Sequence, residues 1–134
     1  MFTKILLRIA PLYLLKRFST SLQKRAFFVR EYQEMLRRMW RGEFVLAKKK
    51  EIREDIRREF DKTNEDLEAT LNVVQKSNDA TARENLEKIV ESKKKDIAQF
   101  KEQIDQLDKE ISDLNELLTG YREGLDLLKK MINE

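Results

Sequence analysis

The chain has 134 residues, 40% of them charged and 40% hydrophobic, with 28 Lys or Arg against 25 Asp or Glu and a formal net charge of +3. It contains no Cys and no His, which removes disulfides, thiol nucleophiles, imidazole bases and the usual zinc ligands. One Pro and three Gly cannot build the glycine loops that cradle nucleotide phosphates. The carboxylates alternate with Lys and Arg as a solvated helix surface does, so the composition argues against an enzyme.

The first thirty residues carry seven Lys or Arg and no acid. Lys4, Arg8, Lys16 and Arg17 are spaced among Ile, Leu and Tyr, and Ser19, Thr20 and Ser21 follow, which is the composition of a mitochondrial transit peptide. The run Arg17-Phe18-Ser19-Thr20 resembles a matrix processing signal and places a cut after Phe18. The expected leader is residues 1–18, either cleaved or retained as a membrane-surface anchor. A membrane span is the poorer reading, because the apolar run from Ile5 to Leu15 is interrupted by Arg8 and Pro11 and a span needs about 20 apolar residues. The implied location is the mitochondrial matrix or the matrix side of the inner membrane.

Beyond Arg30 the balance reverses: 28 basic residues less the first seven leave 21 against 25 acids, a net of −4. This disfavours a nucleic-acid partner. The remaining basic charge is local, in Arg37, Arg38, Arg41, Lys48, Lys49, Lys50, Arg53, Arg57 and Arg58, and its partner is expected to be acidic.

Three helices follow from the breaks: Ser21 to Arg41, then Glu43 to Gln75 after Gly42, then Thr81 to near Asn133 after the turn cluster at 76–81. Thr81 with Glu84 fits a capping box at the start of the third. The fold class is all-α, a three-helix bundle or antiparallel helical hairpin with a long C-terminal coiled-coil helix. Residues 19–76 hold helices one and two, and 77–134 the turn and long helix.

The third helix has the clearest period. Val90, Ile97, Ile104, Ile111, Leu118, Leu125 and Ile132 form one heptad column, and Phe100, Leu107, Leu114, Tyr121 and Leu128 a second, with Lys93 interrupting it near the start. Gly120 and Gly124 are expected to loosen the helix around Tyr121. Helix two offers Val45, Ile52, Ile56, Phe60, Leu67, Leu71 and Val74 as the facing stripe. At about 1.5 Å per residue helix two spans roughly 50 Å and helix three roughly 80 Å, which leaves the C-terminal turns in need of another cover. That cover is either helix one or another chain. The aromatics Phe27, Phe28, Tyr32, Trp40 and Phe44 read as bundle core, with an interface to a larger assembly as the alternative.

The segment from Ala26 to Phe60 resembles the LYR-motif (complex 1 LYR-like) family of small mitochondrial helical proteins. Tyr32, Leu36, Arg37, Phe44, Ile56, Arg57, Glu59 and Phe60 occupy comparable places, and the triplet position reads Glu31-Tyr32-Gln33. The resemblance implies a three-helix fold that binds mitochondrial acyl carrier protein and takes its acyl-phosphopantetheine between the helices. It also implies a role as accessory subunit or assembly factor of a larger mitochondrial complex, here a respiratory-chain one. The residues so assigned to partner binding are Tyr32, Leu36, Arg37, Arg38, Arg41, Phe44, Lys48, Arg57 and Phe60, with no catalytic, metal or direct cofactor residue. Two other readings are open: a homodimeric coiled-coil tether or chaperone-like protein, and a mitoribosomal structural protein.

Overall fold

A computed structural model of the chain describes residues 21–133, and all of them are helical except the three of one turn. The expected leader, its cut after Phe18, the break at Pro11 and the membrane-surface anchor lie outside the described residues. Helix α1 runs Ser21–Lys76 and helix α2 runs Ala80–Asn133, 56 and 54 residues long. Among the described residues there is no strand, and no helix is long and apolar enough to cross a membrane.

The all-α class and the hairpin are as expected, but the described residues form two helices, not three. Gly42 does not end a helix: α1 continues through it. A helical Gly costs about 1 kcal/mol relative to Ala, which neighbouring packing readily offsets. Here the missing side chain has a use. A Cβ on Gly42 would lie 2.7 Å from Leu118 Cδ2 and 3.6 Å from its Cγ. Gly42 is therefore a position of close approach, at which a fully buried leucine of α2 rests on bare backbone.

The chain forms two compact units. The first joins α1 up to Lys48 with α2 from Ile111, and the second is Lys49–Glu110, which contains the turn.

In the second unit Ser77, Asn78 and Asp79 reverse the chain. The Ser77 amide donates to the Val74 carbonyl at 3.3 Å, closing α1. The cap of α2 is Asp79, whose side-chain oxygen accepts from the Thr81 amide at 3.0 Å while its carbonyl accepts from the Arg83 amide at 2.9 Å. This displaces the expected Thr81–Glu84 capping box, because the helix already begins at Ala80 and Thr81 lies inside its first turn. On α1 the side chains turned inward are Lys49, Arg53, Ile56, Phe60, Thr63, Leu67, Thr70 and Val74, and on α2 Val90, Lys93, Ile97, Phe100, Ile104 and Leu107.

Four of these α1 positions are polar, Lys49, Arg53, Thr63 and Thr70, and three of them have a specific means of sitting there. Lys49 Nζ donates to Glu110 of α2 at 2.9 Å, and Arg53 bonds Asp108 of α2. Thr70 donates its hydroxyl to the Asp66 carbonyl at 2.8 Å. Lys93 of α2, half-buried in its apolar column, holds its Nζ 3.9 Å from Asp66. The hydrogen bond from Lys49, helped by one from Gln106, holds the Glu110 carboxyl below its ordinary value, and the bond to Asp108 raises the Arg53 guanidinium.

In the first unit the inward row of α1 is Phe28, Tyr32, Met35, Met39, Gly42 and Leu46. Phe28 and Met35 pack with Leu125, Leu128 and Met131 in the best-buried cluster, with Phe27, Tyr32, Leu36, Met39, Tyr121, Leu127 and Ile132 against it. The C-terminal turns of α2 are thus covered by the first turns of α1, which resolves the expected shortage of cover. Gly120 and Gly124 are buried, and α2 passes through both without a break. Both expected heptad columns of α2 are buried or half-buried throughout. Of the facing stripe expected on α1, Ile56, Phe60, Leu67 and Val74 lie in the inward row and three members do not. Spacings of four and three alternate from Phe28 to Val74, whereas Val45, Ile52 and Leu71 stand outside that row at 43%, 49% and 38% exposure.

Candidate functional site

The row of Met39, Gly42 and Leu46 fixes what the rest of α1 presents between Arg37 and Lys48. Heptad geometry turns residues five beyond or two before a seam position away from the partner helix. Arg37 and Phe44 point directly outward, and Trp40, Arg41 and Lys48 flank them. Two of the five aromatics expected in the core are in consequence among the most exposed large apolar side chains of the described residues, Trp40 at 58% and Phe44 at 65%. They stand one turn apart on the same face, and the Lys48 ammonium lies 5.7 Å from the centre of the Phe44 ring, a cation–π arrangement. Phe27, Phe28 and Tyr32 do pack into or against the core, with the rings of Phe27 and Phe28 edge-on at 6.2 Å.

Charge on this stretch has one dominant sign. Between Arg37 and Lys48 there are four cations and one acid, Glu43, and the Glu43 carboxylate lies 3.5 Å from Arg122 of α2. One turn earlier, Glu34 is shared by two guanidiniums, Arg38 at 3.3 Å and Arg37 at 3.9 Å. Both carboxylates are half-buried at the sides of the helix. A basic surface with two exposed rings at its centre is left facing outward.

The remainder of the basic stretch is not equivalent. Lys49 and Arg53 are engaged with Glu110 and Asp108 as described above, and Arg58 meets Asp55 at 3.1 Å. Glu51, Glu54, Asp55 and Glu59 intervene among these cations, so that stretch is locally close to neutral.

The nine residues assigned to partner binding consequently separate. Arg37, Arg41, Phe44 and Lys48 share the exposed face, with Arg38 half-buried beside it. Tyr32 and Leu36 pack against the core of the first unit, and Phe60 is half-buried in the inward row of the second. Arg57 is exposed but belongs to the second unit, so it is not part of the Arg37–Lys48 face. Trp40 belongs with the face and was absent from the expected set. The signal that would have found it is the placement of Met39, Gly42 and Leu46 in one row, which forces Trp40 outward.

The arrangement can hold carboxylates or other anions by charge-assisted hydrogen bonds from Arg37 and Arg41 and cover an apolar group with two rings. Among the described residues no group of three or more carboxylates is placed to hold a metal ion. No protein-family model matches the chain, and no curated protein or solved structure does.

Proposed function

We propose that this chain is a non-catalytic accessory subunit or assembly factor of a mitochondrial respiratory-chain complex, an LYR-like helical adaptor that binds the acidic mitochondrial acyl carrier protein. The observation that carries the reading is the exposed face formed by Arg37, Trp40, Arg41, Phe44 and Lys48. It is basic on a body whose net charge beyond Arg30 is −4, so the positive field is a local feature and selects an acidic partner. The acid-free leader supports a working place in the matrix or on the matrix side of the inner membrane. In this reading the acyl-phosphopantetheine belongs to the carrier, and no residue of this chain is assigned to it.

The homodimeric tether gains nothing from the packing, since both heptad columns of α2 are turned toward α1. Purification of the tagged chain from mitochondria, followed by mass spectrometry, is expected to recover the acyl carrier protein together with subunits of one respiratory complex. Recovery of ribosomal proteins alone, or of further copies of the chain alone, would contradict the proposal.

A further inference from the structure

We infer that Trp40 and Phe44 are the apolar anchor of this interface, and that what covers them is an acidic helix of a partner protein whose carboxylates reach Arg37, Arg41 and Lys48. The inference rests on the adaptor reading above and adds the chemistry of the occupant.

The fold itself gives no reason for these aromatics. Neither belongs to the buried cluster, and at exposed helix positions Trp and Phe are poorer helix formers than the Lys, Glu and Arg that fill most of the outward surface of α1. An indole and a phenyl ring held side by side among guanidiniums have the composition of a binding hot spot, in which Trp and Arg predominate and polar neighbours keep water away. The charge of the surround is positive because Arg37, Arg38, Arg41 and Lys48 outnumber Glu34 and Glu43, and Glu43 lies against Arg122 of α2. A covering surface therefore has to supply carboxylates.

Shape selects a helix. The site is a ridge along one helix, twelve residues from Arg37 to Lys48, or about 16 Å end to end. Trp40 and Phe44 form a four-residue ridge of the kind that seats in the groove of a second helix. A membrane surface fits less well, since a helix lying in a bilayer interface needs a continuous apolar stripe. The outward row of α1 reads Gln23, Arg30, Arg37, Phe44 and Glu51, with a single apolar member.

Trp40 is the only tryptophan of the chain, so its emission reports on this face alone. The experiment adds purified mitochondrial acyl carrier protein, and separately vesicles of phosphatidylcholine with cardiolipin, to the purified chain. Fluorescence follows Trp40, and calorimetry follows binding independently of it. The carrier is expected to shift the emission to the blue and saturate. Trp40→Ala and Phe44→Ala are each expected to weaken binding about tenfold or more with unchanged thermal unfolding, as befits exposed hot-spot residues. If calorimetry detects binding while the emission stays fixed and Trp40→Ala binds as the parent does, the anchor is wrong and the adaptor reading survives. If the carrier gives neither heat nor shift, the adaptor reading falls and this inference with it. A blue shift with cardiolipin vesicles and none with the carrier reassigns the face to lipid and overturns the acidic helix.

Discussion

Leu118→Ala is expected to lower the free energy of unfolding by about 3 kcal/mol, within the range of about 2 to 5 kcal/mol for fully buried leucines. Leu118 is 0% exposed, and its terminal methyl lies 2.7 Å from where a Cβ on Gly42 would be. Truncation removes the transfer free energy of the lost methyl groups and opens a cavity against a residue that has no side chain to fill it. The same substitution at Ile52, 49% exposed and outside the inward row, is expected to change stability by less than about 1 kcal/mol. Urea unfolding followed by circular dichroism measures both. Equal losses at the two positions would mean that the apolar stripe through Val45 and Ile52 faces α2 after all.

Gly42→Leu is the second large effect, and its sign separates two accounts of the glycine. If Gly42 marked a break between helices, leucine would be neutral or would stabilise, because glycine costs about 0.8 to 1 kcal/mol relative to alanine in a helix and leucine ranks close to alanine. In the continuous α1 its first carbon would already meet Leu118 at 2.7 Å, with Leu114 at 3.9 Å. Overpacking of this kind costs about 1 to 3 kcal/mol, which outweighs the propensity gain. Net destabilisation is expected, measured by the same unfolding curves. The combination Gly42→Ala with Leu118→Ala is expected to be less damaging than the sum of its parts, since the new methyl enters the space the leucine left. Strict additivity would show that the two residues are not in contact.

The two helices were unequally legible in the sequence for a physical reason. On α2 the inward positions are nearly all Ile, Leu, Val or Phe in strict three-and-four spacing, so composition and geometry point the same way. On α1 the inward row includes Lys49, Arg53, Thr63 and Thr70, which no apolar pattern selects. Lys49, Arg53 and Thr70 are tolerated because Glu110, Asp108 and the Asp66 carbonyl meet them, and those partners lie far away in sequence or on the backbone. With these positions hidden, Val45, Ile52 and Leu71 supplied a false stripe one position away. Of the exposed face, Arg37, Arg41, Phe44 and Lys48 were legible as partner-binding residues, whereas Trp40 was read only with the other aromatics as core or interface.

Gly42 was misread on local propensity alone, which is silent about a leucine 76 residues further along the chain. The turn was legible to within a residue or two, and the error in its cap came from choosing the hydroxyl of Thr81 over the carboxylate of Asp79. Of the basic stretch, only its existence was readable. Its division into outward-facing and internally engaged cations depends on which of them meet α2.

The reading of α1 as an adaptor surface turns on the claim that the Arg37–Lys48 face, and not the whole basic stretch, meets the acidic partner. Calorimetric titration of the purified chain with mitochondrial acyl carrier protein tests this when two charge-reversed variants are compared. Arg37→Glu with Arg41→Glu is expected to weaken binding by at least about tenfold, since it places acids beside the proposed carboxylate contacts. Arg57→Glu with Arg58→Glu is expected to change binding by less than about threefold, because Arg58 already meets Asp55 and acids surround the pair. Equal losses from both variants, or full binding by the first, would contradict the account.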